Sequence, residues 1–203
     1  MRRMIDITVA LLILPPLAPL FLLVAAAILL ESPGSVFYGG WRVGKDNKRF
    51  RMWKFRTMVS NADRLGGAIT TQNDVRVTRV GAVLRRTKLD ELPQFINLLT
   101  GDLTLIGPRP EAPGLAERYS AEQKQIFRIK PGITGPVQLE YTFLEAETIP
   151  DQGDAEVFYL DRVLEAKIQK DLEYQRTRTT FSDLRVVLQT VSLMFRALAH
   201  SNN

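Results

Sequence analysis

Asp90 and Glu91 stand side by side just after a basic run, Arg85, Arg86 and Lys88. The chain of 203 residues has no cysteine and a single histidine, His200, near a polar C-terminus. A thiol nucleophile, thiolate metal sites, disulfides, a His-based triad and a multi-His metal centre are therefore excluded. Acid–base or nucleophilic work must fall to Asp, Glu, Lys, Ser, Thr or Tyr. The formal net charge of +5 points to an anionic partner: nucleic acid, anionic lipid or a phosphorylated ligand. Taken alone, an acidic pair in the first turn of a helix is ordinary, because the helix dipole favours negative charge there.

The elements around the pair follow from its neighbours. Leu89, Leu92, Ile96 and Leu99 recur at helical spacing. Pro93 lacks an N–H and sits most easily in a first turn, which predicts a helix starting near Asp90. Thr87 with Asp90 fits a capping box as a second start. Val80, Val83 and Leu84 predict a preceding helix over residues 79–86, with Arg85 placed to close over the carboxylates. Downstream, Pro108 and Pro110 fix the backbone around Arg109 as extended and reduce the entropy lost in holding its side chain. A guanidinium set in this way suits bidentate phosphate binding. Lys130-Pro131-Gly132-Ile133-Thr134-Gly135-Pro136 is a second rigid loop, whose glycines would let backbone amides approach an anion. No Walker sequence and no GxGxxG is present.

Residues Ile7 to Leu30 carry no charge. As one straight helix they would reach roughly 36 Å, enough to span a bilayer. Pro15, Pro16 and Pro19 interrupt the run and predict a sharp bend. Arg2 and Arg3 precede it; Arg42, Lys45, Lys48, Arg49, Arg51, Lys54 and Arg56 follow it. The positive-inside rule places both flanks on the cytoplasmic side, which a helix–break–helix dipping into one leaflet satisfies and a spanning helix does not. A kinked spanning helix and a signal peptide are the alternatives.

Glu31 to Ser35 reads as a turn, Val36 to Tyr38 as a short strand, Gly39-Gly40 and 45–48 as turns. Arg49 to Arg56 alternates basic with apolar, as a half-buried strand does, and puts Lys54 and Arg56 on one face. That face is either a charged edge that resists aggregation or one turned to phosphates. Residues 60–78 read as a short helix and loop. Helical periodicity predicts helices over 155–175 and 184–199, the latter either a core helix or one lying in a membrane interface. The fold class expected is α+β and mostly helical: a proline-broken re-entrant membrane hairpin helix over 1–31, then a small cytosolic globular domain over 32–203 with a short β-hairpin.

Taken in order, these pieces resemble the bacterial sugar transferase family, the small monotopic phosphoglycosyl transferases. The matching motifs are Lys54-Phe55-Arg56-Thr57-Met58, Leu89-Asp90-Glu91-Leu92-Pro93-Gln94, Gly107-Pro108-Arg109-Pro110-Glu111 and Lys130-Pro131-Gly132-Ile133-Thr134-Gly135. Asp171 to Tyr174 and Phe181 to Arg185 resemble the family's final Asp-x-x-Tyr and aromatic-x-Asp-Leu-Lys/Arg pattern. Pro136-Val137-Gln138-Leu139-Glu140-Tyr141 departs from the family's usual Trp-Ala-Gln-Val-Asn-Gly-Arg, and a longer acidic stretch follows through Asp154.

The resemblance implies transfer of a sugar 1-phosphate from a UDP-sugar to polyprenol (undecaprenyl) phosphate with release of UMP, starting glycan assembly. It implies Asp90 as a nucleophile forming a covalent phosphosugar, Glu91 as its partner, and Mg²⁺ held by Asp90 and Glu91. Lys54, Arg56, Arg85, Arg109, Lys130, Thr134 and Asp171 fall on motifs expected near phosphates or substrate. The expected partners are the UDP-sugar, the polyprenol phosphate and membrane lipid, with no nucleic acid and with homodimerisation left open. The expected place is the cytoplasmic leaflet of a bacterial inner membrane, both termini cytoplasmic. A membrane-tethered nucleic-acid binder and a non-catalytic scaffold are the competing classes. Basic residues set among carboxylates and rigid proline loops, rather than along one helix, argue against the first.

Overall fold

The computed structural model describes residues 2–62, 74–140 and 163–200. Residues 63–73 of the short helix and loop expected over 60–78, the acidic stretch over 141–154 and the start of the helix expected over 155–175 lie outside the described residues. Contacts divide the chain into two compact units, one of residues 1–40, 51–101 and 193–203, the other of 41–50 and 102–192. The described residues are mostly helical, with two small two-stranded sheets.

In the first unit, α1 (Arg2–Glu31) is helical through Pro15, Pro16 and Pro19. The chain therefore stays helical where the prolines predict a break. This helix is long and apolar enough to cross a membrane. Leu11, Leu12, Leu22 and Leu23 are more than half exposed. Val24 and Ile28 are instead buried, in a core with Phe55, Leu84 and Leu92. Phe55 anchors that core, edge-on to Phe21 at 4.9 Å and stacked on Phe37 at 5.4 Å.

β1 (Phe37–Val43) and β2 (Arg49–Phe55) form the expected hairpin. The first strand is longer than the sequence suggests because Gly39-Gly40 is extended rather than turned. A Cβ at Gly39 would stand 2.9 Å from the Trp53 ring, so the absent side chain makes room for an aromatic on the paired strand.

α2 (Arg79–Thr87) begins at Thr78, whose hydroxyl accepts from the Gly81 amide at 2.9 Å. It ends where Lys88 turns left-handed, at φ 59°. A 3₁₀ turn over Leu89–Glu91 carries the acidic pair, and α3 (Gln94–Thr100) starts only after Pro93. The helix therefore begins four residues later than Pro93 in a first turn would place it. Thr87 is not a cap; its hydroxyl bonds back to the Val83 and Leu84 carbonyls. The shift rotates the buried face to Leu92, Gln94, Asn97 and Leu98.

In the second unit, β3 (Thr104–Ile106) and β4 (Gly132–Thr134) pair in parallel, Thr104 opposite Gly132 and Ile106 opposite Thr134. α4 (Pro113–Glu117) and a 3₁₀ stretch over Gln123–Arg128 lie between them in sequence. Residues 136–140 are helical; α5 (Leu164–Thr177) and α6 (Thr180–His200) follow. The core here is Val43, Ala116, Tyr119, Ile126, Phe127, Leu164 and Ile168.

Gly81 tests how tightly α2 is seated. Alanine is intrinsically better than glycine in a helix by about 1 kcal/mol, but a Cβ at Gly81 would lie 2.0 Å from the Thr57 carbonyl oxygen. We expect Gly81→Ala to lose roughly 1–3 kcal/mol of stability through overpacking. Thermal unfolding of the solubilised chain reads this; an unchanged or raised midpoint contradicts it.

Candidate active site

The acidic pair is placed by three local events: the left-handed stop at Lys88, the 3₁₀ turn, and Pro93 ahead of α3. β2 then supplies its cation. Lys54 Nζ stands 2.6 Å from Glu91 Oε1 and 3.9 Å from Asp90 Oδ2. The register of strand against helix is fixed by Asn97, 1% exposed. Its carboxamide accepts from the Trp53 amide at 2.9 Å and donates to the Arg51 carbonyl at 2.7 Å. A buried polar side chain that satisfies two backbone groups of the next element holds them in one alignment. Nothing in the apolar stripe marks Asn97 beforehand, except that it is polar in a helix that must be half buried.

Asp90 is 6% exposed. Burial pushes its carboxyl above the usual range, and the neighbouring Glu91 charge pushes the same way. Lys54, Lys88 and Arg85 oppose that shift. Burial thus raises the basicity of the Asp90 carboxyl, while the neighbouring cations favour its charged form. Arg85 donates from Nε to the Thr57 hydroxyl at 2.8 Å.

Arg56 belongs to the same unit but is turned elsewhere. Its guanidinium donates to the Ser32 carbonyl at 2.6 Å, the Pro33 carbonyl at 2.8 Å and the Ser32 hydroxyl at 3.0 Å. The expected phosphate-facing pair of Lys54 and Arg56 is thereby divided. Lys54 faces the carboxylates, and Arg56 closes the turn that leaves α1.

Arg109, Lys130, Thr134 and Asp171 lie in the second unit. Gly107 and Gly132 explain how the two loop motifs meet there. A Cβ at Gly132 would lie 2.1 Å from the Gly107 amide, and one at Gly107 2.5 Å from the Lys130 carbonyl. The glycine amides are used inside the fold, Gly107 donating to Thr134 and Gly132 to Pro108, each at 2.9 Å. Gly107 and Gly132 serve close strand approach, and the Gly132 amide expected to meet an anion is used inside the fold. Thr134 shares a 2.8 Å hydrogen bond with Thr190.

Asp171 is buried, and burial pushes its carboxyl up to about 7, with Lys167 opposing. Glu111, the last residue of the Gly107–Glu111 motif, is also pushed up by burial. It accepts from the Tyr119 hydroxyl at 2.9 Å and feels the charges of Lys167, Arg109 and Arg42. Tyr174 and Asp183 of the final motif hold the turn between α5 and α6: Asp183 accepts from Arg178 at 2.8 Å and from the Tyr174 hydroxyl at 2.8 Å.

The chain matches the bacterial sugar transferase family over residues 1–197. It belongs to that family. This family member is 37% identical, over 193 residues, to a UDP-N-acetylgalactosamine-undecaprenyl-phosphate N-acetylgalactosaminephosphotransferase of Aeromonas hydrophila; the match covers 94% of this chain and 42% of the relative. It is 39% identical, over 194 residues, to a UDP-glucose:undecaprenyl-phosphate glucose-1-phosphate transferase of Escherichia coli K12, covering 94% and 39%. It is 37% identical, over 198 residues, to the exopolysaccharide production protein PSS of Rhizobium leguminosarum bv. phaseoli, covering 94% and 93%. The chain thus spans about two fifths of the length of the first two relatives and nearly all of the third.

Among the described residues no three acidic or histidine side chains cluster as a closed metal cage. Adjacent Asp90 and Glu91 fit a different kind of site. Mg²⁺ is commonly held by one or two carboxylates, with waters and substrate phosphates completing its shell.

The buried Asp171 makes stability depend on pH. Its pKa is raised in the folded state from 3.8 to about 7, so its contribution is full below pH 4 and is lost as pH rises through 7. We expect the unfolding midpoint of the natural chain to fall between pH 4 and pH 7 and to level off above, and Asp171→Asn to flatten that fall. Equal slopes in the two proteins contradict the assignment.

Proposed function

We propose that the chain transfers a sugar 1-phosphate from a UDP-sugar to undecaprenyl phosphate, releasing UMP and starting glycan assembly. The observation that carries this is Asp90, buried beside Glu91 and Lys54 in a member of the bacterial sugar transferase family. The named activities of the Aeromonas and Escherichia relatives support the choice of donor and acceptor class.

In the first half-reaction an Asp90 carboxylate oxygen attacks the phosphorus that bears the sugar. The bond from that phosphorus to the UMP oxygen breaks, and UMP leaves with the electron pair. In the second, an oxygen of the polyprenol phosphate attacks the same phosphorus and Asp90 is released as carboxylate. Lys54 and Arg85 neutralise charge that builds on the phosphoryl oxygens, and they cost no reorganisation because they already stand in place. Mg²⁺, held by Asp90 and Glu91, would add charge neutralisation at the diphosphate. Arg109, Lys130, Thr134 and Asp171 are assigned to substrate binding, and Arg56 to holding the turn beyond α1.

The acceptor is a lipid, so the site must work at headgroup level. We place residues 1–31 as a re-entrant hairpin in the cytoplasmic leaflet, both termini cytoplasmic, with residues 32–203 forming the cytosolic domain. Two observations support this. The exposed side chains of α1 are apolar along much of its length. In addition, a straight helix would hold Arg3 and Ile28 about 37 Å apart, whereas Arg3 bonds Leu98 and Ile28 packs in the cluster containing Leu92.

The test is turnover of candidate UDP-sugars with undecaprenyl phosphate and Mg²⁺ in detergent, read as UMP release. Asp90→Asn is expected to reduce kcat by about a thousandfold or more, as loss of a nucleophile does. Full activity in that variant ends the assignment. Salt-sensitive nucleic-acid binding without UMP release would favour the basic-binder reading instead.

A further inference from the structure

Every helix end leaves backbone groups without partners inside the helix. The helix–turn–helix that carries Asp90 and Glu91 has two outer ends, the N-terminus of α2 and the C-terminus of α3. Both are met by the same element, α1, one by each of its own ends. At the first, Glu31 Oε1 accepts from the Arg79 amide at 2.7 Å and Oε2 from the Val80 amide at 2.8 Å. At the second, Arg3 Nη1 donates to the Leu98 carbonyl at 2.6 Å and Nη2 to the Leu99 carbonyl at 2.7 Å. The signs match the dipoles: an anion at a helix N-terminus and a cation at a C-terminus.

A membrane anchor needs none of this. Apolar length alone holds a helix in lipid, and α2 already has a local cap in Thr78. Arg3 and Glu31 are 28 positions apart in the chain, yet they grip the two ends of one short supersecondary unit. Arg56 reinforces the Glu31 side by binding the Ser32 and Pro33 carbonyls just beyond it. Gly101, which ends α3 at φ 92°, has the Arg3 guanidinium against it; a Cβ there would lie 3.1 Å from Arg3 Cζ.

We propose that Arg3 and Glu31 are positioning residues that clamp the outer ends of this helix–turn–helix, so that α1 aligns Asp90 and Glu91 against Lys54 as well as anchoring the chain. The proposal rests on the transfer reaction above for its kinetic readout, and on the clamp geometry for the other.

The experiment uses the full chain in lipid nanodiscs, with Arg3→Ala, Glu31→Ala, Arg3→Lys and Glu31→Gln. Membrane retention, UMP-release kinetics and amide hydrogen exchange over residues 79–101 are measured on each. Small misplacement of reacting groups costs one to two orders of magnitude in rate, so each alanine variant should lose about tenfold or more in kcat. KM for the UDP-sugar should stay within about twofold, as for an effect felt in the transition state. Arg3→Lys and Glu31→Gln, which keep a donor or an acceptor, should recover most of the loss. Exchange should quicken at Arg79 and Val80 in Glu31→Ala, and in both alanine variants across the 3₁₀ turn at residues 89–91, while the protein stays in the membrane. Alanine variants with natural kcat and unchanged exchange at 89–91 overturn the proposal. So does a kcat loss that only tracks lost membrane retention. If the natural chain releases no UMP, the transferase reading fails, and exchange at 89–91 alone decides the clamp.

Discussion

A carboxylate taken out of water has to be compensated on the spot. Asp90 has almost no solvent exposure, and removing such a group from water costs several kcal/mol unless cations and hydrogen bonds replace the lost hydration. Lys54 is the nearest replacement, and it comes from a strand, not from the helices that carry the pair. The site therefore depends on how β2 is locked to α3, and Asn97 forms that lock. Loss of this register would leave a buried charge without its counter-charge, the costly half of a buried ion pair.

The second unit shows a different use of the same physics. Two loops rich in proline and glycine cross so closely that side chains are excluded at Gly107 and Gly132. Parallel pairing of β3 with β4 follows, and it brings the chain carrying Arg109 beside the chain carrying Lys130. Glu111 and Asp171 are buried acids in this unit, and both feel the Lys167 charge. Burial raises both carboxyls, and the Lys167 charge opposes the shift at each.

How much of this was legible depends on the range of the interaction. The acidic pair and the basic run before it could be read because they are carried by residue type and short spacing, whereas the approach of Lys54 from 36 positions upstream could not. The hairpin and the apolar N-terminal helix were legible from alternation and from uncharged length. The start of α3 was not, because a lysine in the left-handed conformation at residue 88 has no sequence signature of its own. Gly39 read as a turn residue and Gly132 as part of an anion-binding loop, since only a partner strand reveals that they stand for close approach. Arg56 was grouped with Lys54 by period-2 spacing, and its carbonyl partners at Ser32 and Pro33 appear only once α1 is folded back onto the strand end. Asn97, Glu31 and Arg3 act across 44 to 96 positions, beyond any local pattern.

The central claim is that Asp90 itself bonds to phosphorus. The natural chain, mixed briefly with donor and Mg²⁺ and no acceptor, is quenched, digested with trypsin and sequenced by tandem mass spectrometry. The account predicts a sugar-phosphate mass on the peptide that begins at Leu89, localised to Asp90 and removed by undecaprenyl phosphate. UMP release with no adduct, or an adduct localised to any other residue, contradicts it.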